Sequence, residues 1–270
     1  MNVAIIYFSP TGSTARIAKE VHDTLKETAV DVEEHDITSY SDRQKIIDLK
    51  NYNAIVFGFP IYYWRAPRVI RNWLKSIKGE GKKCATFFTY GGVNIGAAHY
   101  NMKTILNQQD FFLVASAEFI CSHTYNLAGW DIFKNRPNHE DYEIAREFAL
   151  KILQKFTTNA PEVEITNPDI KEEQLDTMET AMKRATSAPF RDVEHCSMCR
   201  TCETSCPVHA MNAEKGKPNR KLCIRCLRCL ANCPDKVITI DDMSARFQYI
   251  KKITHLNDEK LRTLKSKIYL

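Results

Sequence analysis

Residues 2–14 read Asn2-Val-Ala-Ile-Ile-Tyr-Phe8-Ser9-Pro-Thr11-Gly12-Ser13-Thr14, and this stretch decides the fold. Asn2 to Phe8 is a nearly continuous apolar run, the pattern of a strand buried on both faces. A helical pattern, Gly12 to Glu27, follows at once. Strand, short polar loop and helix in this order open a βαβ unit. The loop carries four hydroxyls, a flexible glycine and the unpaired amides of a helix N-terminus, which together make a phosphate cradle. It has neither the Gly-Lys-Ser/Thr of a triphosphatase loop nor Gly-x-Gly-x-x-Gly. No Lys or Arg lies between Ile5 and Ala15. The site therefore suits one terminal phosphate held by neutral donors, drawn from Ser9, Thr11, Gly12, Ser13 and Thr14. The competing reading is a helix N-cap by Ser9 or Thr11.

The alternation continues outward from this stretch. Strand patterns recur at Val30 to Asp36, Asn53 to Phe59, Lys83 to Thr89 and Phe111 to Phe119. Val30 to Asp36 alternates and is acidic, as an edge strand would be. Helical patterns fall at roughly Arg43 to Lys50, Ala66 to Ile77, Ile95 to Gln109 and Glu140 to Phe156. The expected fold is α/β, a doubly wound parallel five-stranded sheet over residues 1–158. Residues 159–190 read as an acidic linker with one helix, Ile170 to Ala185. Residues 191–242 are a small cysteine-rich α+β unit, and 243–270 a basic tail expected to be helical.

Eight of the ten cysteines lie between Cys196 and Cys233, in two runs of identical spacing. The first is Cys196-Ser-Met-Cys199-Arg-Thr-Cys202-Glu-Thr-Ser-Cys206-Pro207. The second, 27 residues on, is Cys223-Ile-Arg-Cys226-Leu-Arg-Cys229-Leu-Ala-Asn-Cys233-Pro234. Three cysteines at intervals of three wrap a tight loop around three corners of an iron–sulfur cube, and the displaced fourth reaches the other cube. A structural zinc site needs only four ligands, usually as two separated pairs. Disulfides are disfavoured by the spacing and by the reducing, cytoplasmic compartment expected of a chain whose start has no basic n-region or cleavage site. Cys84 and Cys121 lie in strand-like segments and read as small buried thiols.

Two further loops follow strand ends. One is Pro60-Ile-Tyr62-Tyr63-Trp64-Arg65-Ala-Pro67, and five of the eight residues 57–64 are aromatic. The other is Thr89-Tyr90-Gly91-Gly92-Val-Asn94-Ile-Gly96. Loops beyond the carboxyl ends of strands are where doubly wound sheets bind ligands.

With these three loops, residues 1–156 resemble the flavodoxins. The resemblance implies strand order 2-1-3-4-5 and FMN as cofactor. Its phosphate would lie on the first loop, and its ring against Pro60, Tyr62, Tyr63 and Trp64. Thr89, Tyr90 and the glycines Gly91, Gly92 and Gly96 would let backbone approach the ring. Arg65, Arg68 and Arg71 depart from the acidic flavin surroundings of that family, and predict a raised reduction potential. The cysteine segment resembles a bacterial two-cluster ferredoxin. That resemblance implies one 4Fe–4S cluster on Cys196, Cys199, Cys202 and Cys233, and a second on Cys223, Cys226, Cys229 and Cys206.

Charge is uneven along the chain. Residues 1–158 hold 19 basic and 17 acidic side chains, residues 159–190 hold 3 and 7, and residues 191–270 hold 16 and 9. A region of net +7 suggests nucleic acid. Eight thiolates and two oxidised cores add −4, however, and the motive for nucleic acid is largely removed. No apolar run is long enough to span a membrane. Arg200, Arg225, Arg228, Lys217, Arg220 and Lys221 either offset cluster charge, greet an acidic partner or form a solvated face. Taken whole, the chain resembles a flavodoxin–ferredoxin fusion. That implies a relay of single electrons between two clusters and FMN, exchanging with a ferredoxin-like or other iron–sulfur protein. The alternative is an FMN-dependent reductase of a quinone, azo compound or metal complex. His123, Thr124, Tyr125 and Asn126 would then line the site and His123 donate a proton. A binding module using the basic tail is a third reading.

Overall fold

In the computed structural model, which describes residues 1–191 and 195–270, strand β1 (Asn2–Tyr7) is paired in parallel on both edges. Its neighbours are β2 (Asp31–Asp36) and β3 (Ala54–Pro60). Residues 192–194, at the start of the expected cysteine unit, lie outside the described residues. β4 (Lys82–Tyr90) and β5 (Phe111–Ile120) extend the sheet beyond β3. The five parallel strands follow the expected order 2-1-3-4-5, with acidic β2 at one edge. Past Asn2, β1 is apolar because both sheet faces are covered. Val3, Ile5 and Tyr7 enter one core, with Ile17, Val21 and Leu25 of α1 (Ser13–Glu27) and Phe148 and Ile152 of α4 (His139–Thr157). Ala4, Ile6 and Phe8 enter the other, with Ile70 and Leu74 of α2 (Arg68–Leu74) and Met102 and Leu106 of α3 (Ala98–Gln108). Each fully buried Ile or Leu contributes about 1.5–3 kcal/mol.

Two expectations are corrected. The pattern over residues 43–50 forms two 3₁₀ turns, Asp42–Gln44 and Leu49–Asn51, instead of a helix. Ile46 there is 95% exposed, so its apolar periodicity faces no core. The sheet also has a sixth strand. After α8 (Ser244–Ile253) and α9 (Asp258–Thr263), the tail ends in β10 (Lys267–Tyr269), antiparallel to β5. It covers an edge that the five-stranded sheet would leave open. Tyr269 donates to Glu118 at 3.1 Å, and Ser266 Oγ accepts from the Ile120 amide at 3.0 Å. The acidic segment, read as a linker with one helix, is packed against the sheet domain. Val163 is buried and its amide donates to Leu113 at 2.9 Å. Helix α5 (Glu172–Arg184) then lies against α2 through ion pairs.

The cysteine unit holds two short ribbons, β6 (Phe190–Arg191) with β9 (Ile238–Thr239) and β7 (Met211–Asn212) with β8 (Lys217–Pro218). Two one-turn helices, α6 (Thr201–Thr204) and α7 (Arg228–Ala231), each carry the third cysteine of a triplet, Cys202 and Cys229. A small apolar core joins this unit to the rest: Trp130 and Ile132 pack with Leu227, Ile240, Met243 and Phe247. Among the described residues no helix is long and apolar enough to cross a membrane.

Candidate redox-cofactor site

The loops after β1, β3, β4 and β5 meet at a cavity of about 490 Å³. Ser9, Thr11, Ser13 and Thr14 line its polar end. Gly12 is left-handed, with φ +90°, and a Cβ there would meet nothing within 4 Å. Its need for glycine is therefore conformational, not spatial. Gly12 is the N-cap of α1, so neither Ser9 nor Thr11 holds that position, but Ser9 Oγ accepts from the Ala15 amide of the first turn at 2.9 Å. Thr14 and Thr89 hydroxyls bond at 2.8 Å and tie the first loop to the third. Arg228, 219 residues away in the second cysteine run, donates to the Ser9 and Pro10 carbonyls at 3.3 and 2.9 Å. Its Nε is buried without a partner.

Pro60, Tyr62, Tyr63 and Trp64 form the second wall. Tyr62 and Arg65 bridge across a turn whose central residues, Tyr63 and Trp64, have φ of 54° and 66°. Aromatic residues held left-handed cost about 1–3 kcal/mol each and persist only where the surroundings over-determine them. Of the third loop, Thr89, Tyr90 and Gly91 reach the cavity, whereas Gly92 and Gly96, like Gly12 of the first loop, do not line it. The later glycines make room for the protein's own side chains. A Cβ on Gly92 would fall 2.0 Å from Phe133, and one on Gly96 2.3 Å from Trp64.

Beyond β5, His123, Thr124 and Tyr125 line the cavity and Asn126 does not. Asn126 instead braces the loop, donating to the Ile132 carbonyl at 2.8 Å. Burial pushes the His123 imidazole down to about 4. Its Nδ1 accepts from the Tyr125 amide at 3.0 Å and its ring stacks on Trp130 at 4.3 Å. His123 is thus neutral near pH 7, and with Nδ1 accepting it carries its proton on Nε2. Cys121 lines the cavity, and burial pushes its thiol up. Cys84 is fully buried.

The arginines are corrected too. Arg65 is fully buried and donates to Asp176 at 2.7 Å and Glu179 at 2.8 Å. Arg71 donates to Glu179 at 2.6 Å, and Arg68 to Glu179 and Asp176 at 3.1 and 3.2 Å. Burial works against ionisation of Asp176, but the Arg65 hydrogen bond and the three guanidinium charges hold its carboxyl below the usual range. With Glu172 4.0 Å from Arg65, three carboxylates of α5 face the three guanidinium groups, so the net charge expected to raise the flavin potential is offset and that expectation is withdrawn.

The two cysteine runs share more than spacing. Met198 and Arg200 have φ of 56° and 59°, and Arg225 and Leu227, at the same offsets, 62° and 56°. Two left-handed residues at fixed offsets bend each triplet into the same tight loop. Cys202 lies near Cys233 and Cys196. Cys226 lies near Cys229, Cys223 and Cys206. Cys202, Cys206, Cys229 and Cys233 pack together around Met211 and Ile238. Cys199 is exposed, whereas Cys223, Cys226 and Cys229 are buried. Among the described residues no three or more His, Cys, Asp or Glu converge as the ligands of a single ion would. Ile224 and Arg225, between the cysteines of the second run, line the cavity, and Tyr62 lies near Cys226 and Cys223.

Sequence models of known families match both regions: the flavodoxin domain at residues 4–113 and the 4Fe-4S dicluster domain at residues 188–234. The chain joins a flavodoxin domain to a 4Fe–4S dicluster domain. The flavodoxin domain binds FMN and the dicluster domain carries two 4Fe–4S clusters, which makes this an electron-transfer flavo-iron–sulfur protein. An uncharacterized protein of Methanocaldococcus jannaschii is 29% identical over 148 residues, covering 52% of this chain and 90% of the relative. The flavodoxin of Clostridium saccharobutylicum is 28% identical over 111 residues, 40% of this chain and 66% of that one. Among solved structures, a flavodoxin from the domain Archaea aligns with TM-score 0.45 and 17% identity over 58% of this chain and all of that one. Flavodoxin 2 from Bacillus cereus aligns with TM-score 0.44 and 20% identity over 57% and 99%.

The cavity has the features FMN needs. It has a neutral hydroxyl cradle at one end and an aromatic wall along one side. Two orphaned buried donors, Trp130 Nε1 and Arg228 Nε, lie at the cavity and at its loop. The sequence reading missed Arg228 and the contributions of Met178, Met182, Arg246, Tyr249 and Ile250 to the cavity. Arg228 has a position in the repeat but no local signal of a target 219 residues away.

Proposed function

We propose that this protein relays single electrons between its two clusters and FMN and exchanges them with a redox protein partner in the cytoplasm. FMN, when bound, can take two electrons or one, whereas each cluster passes one. One cluster is assigned to Cys196, Cys199, Cys202 and Cys233, the other to Cys223, Cys226, Cys229 and Cys206, within a dicluster domain spanning 191–242. The phosphate is assigned to Ser9, Thr11, Ser13 and Thr14, with Gly12 shaping the loop, and the ring to Tyr62, Tyr63, Trp64 and Tyr90. The observation that carries the reading is that Ile224 and Arg225, inside the second cysteine run, form part of the flavin cavity wall. Tyr62, which would face the ring, lies near Cys226 and Cys223, which would hold the second cluster.

Replacing Cys206 with Ala tests both parts. Site-resolved EPR is expected to lose the cluster held by Cys223, Cys226 and Cys229. Anaerobic flavin reduction by a reduced ferredoxin is expected to slow at least tenfold while reduction by dithionite persists. Loss of the other cluster overturns the ligand sets, and unchanged ferredoxin-driven reduction overturns the relay. One observation favours the reductase as a second reading. Past the flavodoxin loops the cavity continues along apolar Met178, Met182, Ile250 and Ile253. A quinone or azo acceptor turned over at the cavity, and blocked by Met182→Trp, supports it.

A further inference from the structure

A second depression, of about 760 Å³, lies on the other side of the wall formed by Tyr62, Tyr63, Ile224 and Arg225. Its remaining cations come from three places: Arg68 of α2, Lys183 and Arg184 of α5, and Arg220 and Lys221 before the second cysteine run. The one carboxylate in it, Glu179, is occupied by Arg65, Arg68 and Arg71. Lys183 donates to the Lys221 carbonyl at 2.5 Å and joins α5 to the cluster loop. Arg184, Arg220 and Lys221 are exposed and form no ion pair among the described residues. Amid them Leu222 is 52% exposed, and the next residue, Cys223, is buried.

We infer that this groove docks an acidic one-electron carrier protein and brings its redox centre against the cluster assigned to Cys223, Cys226, Cys229 and Cys206. An apolar centre ringed by cations has the anatomy of a protein interface, whose rim charges steer the partner and fix its register. A small anion is a poorer match, because the cations are spread around a rim and Leu222 would stay in water. The inference rests on the relay reading for its purpose and on the groove for its place. One electron leaves the partner's reduced iron–sulfur or flavin centre, which is oxidised by one, and reduces the cluster by one. No bond forms or breaks and no proton moves.

The test uses full-length protein with both cofactors and an oxidised, strongly acidic two-cluster ferredoxin as probe, with binding measured by titration calorimetry. Arg184→Glu with Lys221→Glu is expected to weaken binding at least tenfold at low ionic strength and to flatten its salt dependence. Leu222→Ala is expected to weaken it at every salt concentration. The control, Lys215→Glu with Lys236→Glu, makes the same charge change elsewhere on the cysteine unit and should cost less than twofold. Equal losses in the two charge-reversed pairs overturn the inference, because net charge alone is then at work. Displacement of the ferredoxin by millimolar inorganic phosphate or NADPH also overturns it, in favour of a small-anion site. If binding follows the groove but the reduced probe leaves the flavin oxidised, the docking stands and the relay fails.

Discussion

Arg228 connects the two cofactor regions with one side chain. It stands between Cys226 and Cys229 in sequence and holds the Ser9 and Pro10 carbonyls of the phosphate loop. Arg228→Met keeps the stem and removes the clamp. It should weaken FMN binding roughly tenfold, about 1.4 kcal/mol, when apoprotein with intact clusters is titrated with FMN by fluorescence. Unchanged affinity would show that the clamp does not shape the loop. His123 makes a prediction of definite sign. Its folded pKa, about 4, lies below the ordinary 6.5, so the unfolded chain binds the proton first. Its contribution is complete above about 6.5 and is lost as pH falls toward about 4. The loss should reach about 3 kcal/mol at the acid end. Thermal unfolding from pH 7 to 4 should show this fall, and His123→Asn should flatten it. A parallel curve for the variant contradicts the neutral buried ring. Single residues were the least legible level of the sequence. Arg65, Arg68 and Arg71 are visible beside an aromatic loop, but Asp176 and Glu179, which neutralise them, lie more than 100 residues on. Gly92 and Gly96 look like flavin-facing positions, yet their space is filled by Phe133 and Trp64.

At the scale of elements, α5 is a structural counter-ion as well as a connection. Its Glu179 is 8% exposed and bonds three arginines. Glu179→Gln would leave Arg65 and Arg71 buried with too little compensation, a loss of about 3–5 kcal/mol. Asp176→Asn, at a more exposed carboxylate, should cost less than about 1 kcal/mol. Denaturant unfolding of the two variants distinguishes them, and equal, small effects contradict the network. Elements were also where the sequence was most legible. β1 and β3 are apolar along their length because both faces are buried, and acidic alternation marks β2 as an edge. The identical cysteine spacing extends to identical left-handed positions in both runs. β10 was not legible: three residues behind a basic helical pattern carry too little periodicity, and only the open edge of β5 gives them a place.

For the whole molecule, the tail and α5 bind the two domains into one unit around the cavity. Arg43 donates to the Pro207 carbonyl beside Cys206, and Trp130 stacks on Phe247 of α8 at 4.8 Å. A cut after Pro161 looks harmless in the sequence, since five strands precede it. In the structure it removes β10 and the carboxylates under Arg65 and Arg71. Intact protein is therefore the right material for testing the relay. The most direct measurement mixes oxidised full-length protein with a reduced acidic ferredoxin under anaerobic conditions and follows it by rapid-freeze EPR and flavin absorbance. The relay predicts that a 4Fe–4S signal rises first and decays as flavin absorbance falls, at matching rates. Flavin absorbance falling before any cluster signal, or with the clusters oxidised throughout, would contradict it.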